Sequence, residues 1–177
     1  MKPLLALAHC IDRLNGLIGK AMGWLVLATI LISAGNALVR KLLNVSSNGW
    51  LEIQWYLFGT VFLLGAAYTL REGAHVRIDL LSSHFSEQTK AWIDALGYVL
   101  FVLPLVGFVI VHGWDFFYQS WHIDETSPDA GGLIRWPAKL MIVAGFALLG
   151  LQVISEMIKT LHRLRQASPN QGPNSEI

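Results

Sequence analysis

The run AMGWLVLATILISAGNALV, residues 21–39, carries no charged side chain and lies between Lys20 and Arg40. As a helix rising 1.5 Å per residue it reaches about 28 Å, close to the thickness of a bilayer's hydrocarbon core. Three further runs follow the same rule: residues 53–70 between Glu52 and Arg71, residues 95–114 between Asp94 and Asp115, and residues 140–155 between Lys139 and Glu156, the last continued by Met157 and Ile158. A soluble helical bundle would give each helix a polar face, and these runs lack one. They also lack the two-residue alternation of a membrane barrel, so helices must satisfy the backbone in lipid. The predicted fold is an all-α membrane protein with four transmembrane helices, spans about 21–39, 53–70, 95–114 and 140–158.

Composition agrees. Of the 177 residues 54% are hydrophobic and 14% charged, where soluble domains average about a quarter charged. One Cys and a net charge of +1 exclude a disulfide scaffold and give no basic field for nucleic acid, so nucleic acid is not an expected partner. Orientation follows from Lys and Arg. Lys2, Arg13 and Lys20, then Arg71, Arg77 and Lys90, then Lys159, Arg163 and Arg165 outnumber Arg40, Lys41, Arg135 and Lys139 by nine to four. Both termini and the middle loop are therefore expected in the cytoplasm. Trp114, Phe116, Phe117, Tyr118, Trp121 and Trp136 read as an outer interfacial belt.

The apolar stretch Leu4 to Ala8 is too short for a signal peptide's hydrophobic region, and His9 spoils a lipoprotein site before Cys10. Leu7, Ile11, Leu14 and Ile18 fall at helical spacing, which suits an amphipathic helix lying at the inner membrane surface. Residues 21–160 form the four-helix domain, and 161–177 read as a polar, disordered cytoplasmic tail.

Catalytic and cofactor signals are weak throughout. His9, His75, His84, His122 and His162 lie outside the uncharged runs, and His112 sits near the outer end of the third, where haem ligation in the bundle is not served. Nucleotide-binding glycine loops and nucleophile motifs are missing, so neither an enzyme nor a cofactor, metal site included, is expected. Carriers place ionisable groups at bilayer depth, and no span does so centrally. Pro104 is expected to kink the third helix, and Asn36, Thr60 and Thr69 to bond their own backbone or a neighbouring helix. Gly16, Gly19 and Gly23 suit a close helix approach. The chain reads as a partner rather than a transport machine.

Two segments have more content. At the start of the second span, Asn48 is placed to cap the helix and Glu52 to meet the positive end of its dipole. Glu52, Trp55, Tyr56 and Gly59 share a face, either as a cap with an aromatic belt or as a docking stripe for another membrane subunit. At its end, Gly73 suits the C′ position, and His75, Arg77 and Asp79 then alternate with Val76, Ile78 and Leu80. Ser86 can cap a helix beginning at Glu87.

Here the chain resembles the small membrane subunit of tripartite ATP-independent periplasmic (TRAP) transporters, the DctQ-like or Q-type subunit, over residues of about 20 to 160. The resemblance rests on the four-span plan, on Glu52-Ile-Gln-Trp55 after Ser46-Ser-Asn-Gly-Trp50, and above all on Gly73-x-His75-Val76-x-Ile78-Asp79. It implies a multi-pass protein of the bacterial inner membrane, in a complex with a large M-type membrane subunit that binds sodium and an organic acid, commonly a carboxylate. It also implies a periplasmic solute-binding protein as third partner, with membrane lipid around the whole. By the same resemblance Trp50, Glu52, Gln54 and Trp55 would set an outer subunit contact, and Arg71, Glu72, His75, Arg77 and Asp79 an inner one. The competing readings are a membrane-anchor redox or haem subunit and a self-sufficient homo-oligomeric carrier.

Overall fold

In the computed structural model, which describes residues 2–45, 47–73 and 85–167, long helices carry most of the described residues. Helix α1 runs Lys2–Leu43, α2 Asn48–Arg71, α3 Glu87–Gly97, α4 Leu103–His122 and α5 Trp136–Ala167. Helices α3 and α4 are joined through one π-helical turn, Tyr98–Val102. Counting that pair as one, four helices are long and apolar enough to cross a membrane, as expected.

Helix α1 is continuous for 42 residues, about 63 Å, with no break between residues 2–20 and the first span. Its leucine- and alanine-rich sequence has no Pro after Pro3, and Pro in the first turn is tolerated because that N–H has no helical acceptor. Helix α2 ends as its sequence suggests. Glu72 N–H donates to the Tyr68 carbonyl at 3.0 Å, and Gly73 N–H donates to the Leu70 carbonyl at 3.1 Å. Gly73 takes φ +64°, a left-handed geometry that costs glycine little. The Ser86 hydroxyl accepts from Thr89 N–H and caps α3, again as expected.

The expected kink at Pro104 takes a specific form. Pro104 has no N–H, and its ring crowds the carbonyl four residues back, Leu100. The chain widens to a π turn over Tyr98–Val102 just before it, with Leu103 N–H reaching back five residues to the Tyr98 carbonyl.

Helix α5 is the hub and packs against α1, α2, α3 and α4. Small residues on it set the distances. A Cβ on Gly145 would fall 2.8 Å from the Leu63 carbonyl oxygen of α2, and one on Gly150 would fall 3.0 Å from Val106 of α4. Between α1 and α2, Gly16 lies against the Arg71 guanidinium and Gly19 against the Tyr68 ring, while nothing approaches Gly23. The glycine face is thus a close-approach surface at two of its three positions. Thr60 and Thr69 donate to the Tyr56 and Gly65 carbonyls on their own helix, as expected of polar residues in a span.

The bundle has two distinct ends. At the loop end lie Asn44, Val45 and Ser47 between α1 and α2, and the 123–135 loop. At the terminal end lie the start of α1, the end of α2 and the end of α5. Most of the surface between them is apolar and uncovered, including Trp24, Phe62 and Phe101.

Candidate functional site

At the loop end, residues 123–135 fold back on themselves. Arg135 N–H donates to the Glu125 carbonyl at 2.8 Å, Ser127 N–H donates to the Leu133 carbonyl at 3.0 Å, and Thr126 and Ile134 form an isolated antiparallel bridge. The turn between them includes Gly131 at φ +74° and closes with Gly132 N–H donating to the Asp129 carbonyl at 2.9 Å.

Glu52 holds this loop to α2. One carboxylate oxygen accepts from Leu133 N–H at 2.6 Å and the other from the Ser127 hydroxyl. Only 5% of Glu52 is exposed. Two glycines let the parts meet. A Cβ on Gly132 would collide with Ser127 and fall 2.9 Å from Glu52 Oε1, and one on Gly49 would fall 2.9 Å from the Gly131 carbonyl oxygen. A charged acceptor paired with a backbone N–H is among the stronger hydrogen bonds available to a loop.

This geometry revises two local expectations. Ser47, not Asn48, is the N-cap of α2, and its side chain makes no capping bond. Asn48 is the first helical residue and donates from Nδ2 to the Ala130 carbonyl at 3.1 Å. Glu52 lies beyond the first turn, where the dipole's influence has fallen off, and it meets the loop instead. Both side chains serve the 123–135 loop because that loop lies directly over the helix end.

The remaining outer candidates divide by exposure. Gln54 accepts from the Ser33 hydroxyl at 2.8 Å and donates to the Trp50 carbonyl at 2.9 Å, so it ties α1 to α2. Trp50 and Trp55 are exposed, Trp55 at 70%. Trp55 also lines a cavity of about 340 Å³ beside the clasp, with Glu52, Tyr56, Asp129, Arg135 and Lys139. Of the expected face, Glu52, Trp55 and Tyr56 line this cavity and Gly59 does not. Trp55 further begins an uncovered aromatic stripe, continued by Phe58 and Phe62 at 68% and 72% exposure.

A second tether secures the other side of the loop. Lys139 of α5 pairs with Glu125 and lies 3.8 Å from the centroid of the Phe116 ring. The Lys139 ammonium beside Glu125 holds its carboxyl below the usual glutamate range. Phe117 of α4 and Trp136 of α5 stack edge to face at 6.3 Å, within the expected aromatic belt.

At the terminal end, Arg71 and Glu72 sit side by side 3.6 Å apart, with side chains 32% and 46% exposed. His75, Arg77 and Asp79 lie outside the described residues. A polar seam there was not anticipated from the sequence. Asp12 of α1 accepts from Gln152 at 2.8 Å, Ser155 at 2.8 Å and Lys159 at 3.0 Å on α5. Asn15 donates to Gln152 at 2.7 Å, and Glu156 accepts from Gln152 at 2.9 Å and from Lys159. Asn15, Gln152 and Ser155 are fully or almost fully buried. The available signal was the recurrence of Asp12 and Asn15, then of Gln152, Ser155, Glu156 and Lys159, at three- and four-residue steps.

Among the described residues, no three His, Cys, Asp or Glu side chains gather as a metal cluster would require. What the two ends do is hold: one fixes a loop on a helix, the other fixes helix to helix. Neither comparison with curated proteins nor comparison with solved structures gives a match. The family model for the DctQ component of tripartite ATP-independent periplasmic transporters matches residues 22–163, which take in about half of α1 and nearly all of the other helices. The chain therefore belongs to the DctQ family, as a small multi-pass membrane subunit of a TRAP transporter.

Proposed function

We propose that this chain is a static brace of a sodium-coupled transporter for organic acids, commonly carboxylates, in the bacterial inner membrane. It has both termini in the cytoplasm and the clasped loop in the periplasm. It holds the scaffold of the large M-type subunit, and the substrate and sodium sites belong to that partner. The 123–135 loop offers outer surface to the solute-binding protein. At the terminal end Arg71, Glu72, His75, Arg77 and Asp79 form a further contact with the large subunit.

The observation that supports this reading is the pairing of a fixed loop with a bare aromatic stripe. The clasp immobilises residues 123–135 against α2, so the loop can present one shape without an ordering cost on contact. Beside it Trp55, Phe58 and Phe62 leave large aromatic rings uncovered, the residue type that carries most contact energy at interfaces. Within lipid, such rings favour a protein partner only through packing, which a rigid helix face supplies.

The decisive experiment measures carboxylate uptake in vesicles holding the large subunit and binding protein, with and without this chain. Uptake should be lost without it while the large subunit remains inserted. In the same system, joint Trp55→Ala and Phe58→Ala replacement should weaken co-purification with the large subunit by about tenfold or more. Normal uptake in the absence of the chain would refute the brace.

A further inference from the structure

At the terminal end, α1 and α2 border a cleft of about 290 Å³ lined by Arg13, Gly16, Lys20, Tyr68, Arg71 and Glu72. Three cations face it and one carboxylate. Glu72 contacts Arg71 at 3.6 Å in an exposed geometry that neutralises little. Arg13 and Lys20 have no ion-pair partner among the described residues, whereas Lys139 and Lys159 are each paired. The cleft is therefore left with a positive excess.

Its construction is specific. Gly16 has no Cβ, and any added one would collide with the Arg71 guanidinium. The fork of Arg71 is thus laid against α1 rather than swung into solvent, and a fixed guanidinium suits two oxygens of one phosphate. Tyr68, whose ring is held against Gly19, borders the same cleft.

Its depth is also specific. Lys20 and Arg71 end the uncharged runs 21–39 and 53–70 on the same side, so they stand where hydrocarbon gives way to headgroups. Arg13 lies two helical turns beyond Lys20, about 10 Å along the axis, so its backbone stands just past the headgroup layer of about 5–7 Å while its side chain lines the same cleft as Lys20. The α1 surface alongside is apolar and open, with Leu17 62% and Trp24 76% exposed. An occupant with a phosphate in the cleft would have its tails against that surface. A soluble anion would leave the surface unused.

The geometry points to a headgroup site for an anionic phospholipid, built from Arg13, Lys20 and Arg71 and framed by Gly16. Basic pockets between transmembrane helices take such headgroups, at about fivefold in affinity for each Lys or Arg near the surface.

The test uses the full chain in detergent, with native mass spectrometry to count retained lipid. Phosphatidylglycerol should be retained in preference to phosphatidylcholine. Arg13→Gln and Lys20→Gln, both at exposed positions, should each lower phosphatidylglycerol retention about fivefold. Gly16→Ala should lower it too, by displacing the Arg71 fork without removing a charge. Arg40→Gln, at the other end of α1, should leave it unchanged. Equal retention of the two lipids, or full retention in the Arg13→Gln, Lys20→Gln double variant, would overturn the site. Inorganic phosphate that displaced the lipid at equal concentration would also overturn it, in favour of a soluble anion.

Discussion

Glu52 and Asp12 are both carboxylates placed where a helix meets something else, yet they solve different problems. Glu52 accepts from a backbone N–H and a hydroxyl of a loop, and so closes non-helical chain onto α2. Asp12 accepts only from side chains, three of them on α5, and so fixes one helix against another. The contrast shows how this bundle separates its tasks. In lipid, apolar helix faces distinguish poorly between a neighbouring helix and an acyl chain, so polar side chains decide which helices pair and in which register. The loop end needs no such choice. It needs a surface of constant shape, and a buried carboxylate against one glycine-containing turn supplies one.

Breaking the seam should have the larger effect. Asp12→Ala leaves Lys159 with Glu156 alone, leaves the Ser155 hydroxyl with only the Ala8 carbonyl, and strands one Gln152 donor. Removing one member of a buried polar network costs about 2–3 kcal/mol, after allowing for the partner that Lys159 keeps. Reversible unfolding in mixed detergent should register that loss. Little change would mean that α1 is held to α5 by packing alone.

The clasp should fail more locally. Glu52→Gln keeps the size of the side chain but weakens the acceptor to Leu133 N–H and Ser127. Hydrogen exchange at the Leu133 amide should quicken about tenfold, while the amides of α5 keep their rates. If α5 exchanged faster as well, the loop would be part of the bundle's core stability rather than a separate fitting upon it.

The two regions were also unequally legible. Helix number, the Gly73 stop and the Ser86 cap follow from charge spacing and local turn chemistry, which need only neighbours in sequence. The clasp joins Glu52 to residues 75 and 81 positions away, and the Asp12 seam joins positions 137 or more apart on facing helices. Glu52 was visible as a notable residue, but its partner was not, because the dipole of its own helix offered a nearer explanation. On α1 the stripe of Leu7, Ile11, Leu14 and Ile18 divides: Leu7 and Leu14 are exposed, whereas Ile11 is buried together with Ala8 and the polar Asn15. A rule learned from water, that apolar faces turn inward, loses its force where the solvent is itself apolar. The polar positions were the better guide to the interior.

The smallest expected effect sharpens the difference further, because it concerns the loop's second tether alone. Glu125 has its pKa depressed by Lys139, so the folded form binds its proton less readily than the unfolded chain does. The tether's contribution is complete above the ordinary glutamate value, about 4.3, and is lost as pH falls through the depressed one. Protection of the amides in residues 123–135, taken relative to the intrinsic exchange rate at each pH, should therefore fall below about pH 4 in wild type. In Lys139→Gln the Glu125 carboxyl returns toward its ordinary value, and the loop's exchange should already be raised at neutral pH, with a weaker further dependence on acid. The Asp12 seam, read at amides of α5 near Gln152, should not follow Lys139→Gln at any pH. A shared response would show that the two ends communicate through α5, the helix that carries both Lys139 and Lys159, and would make the bundle one cooperative unit rather than two.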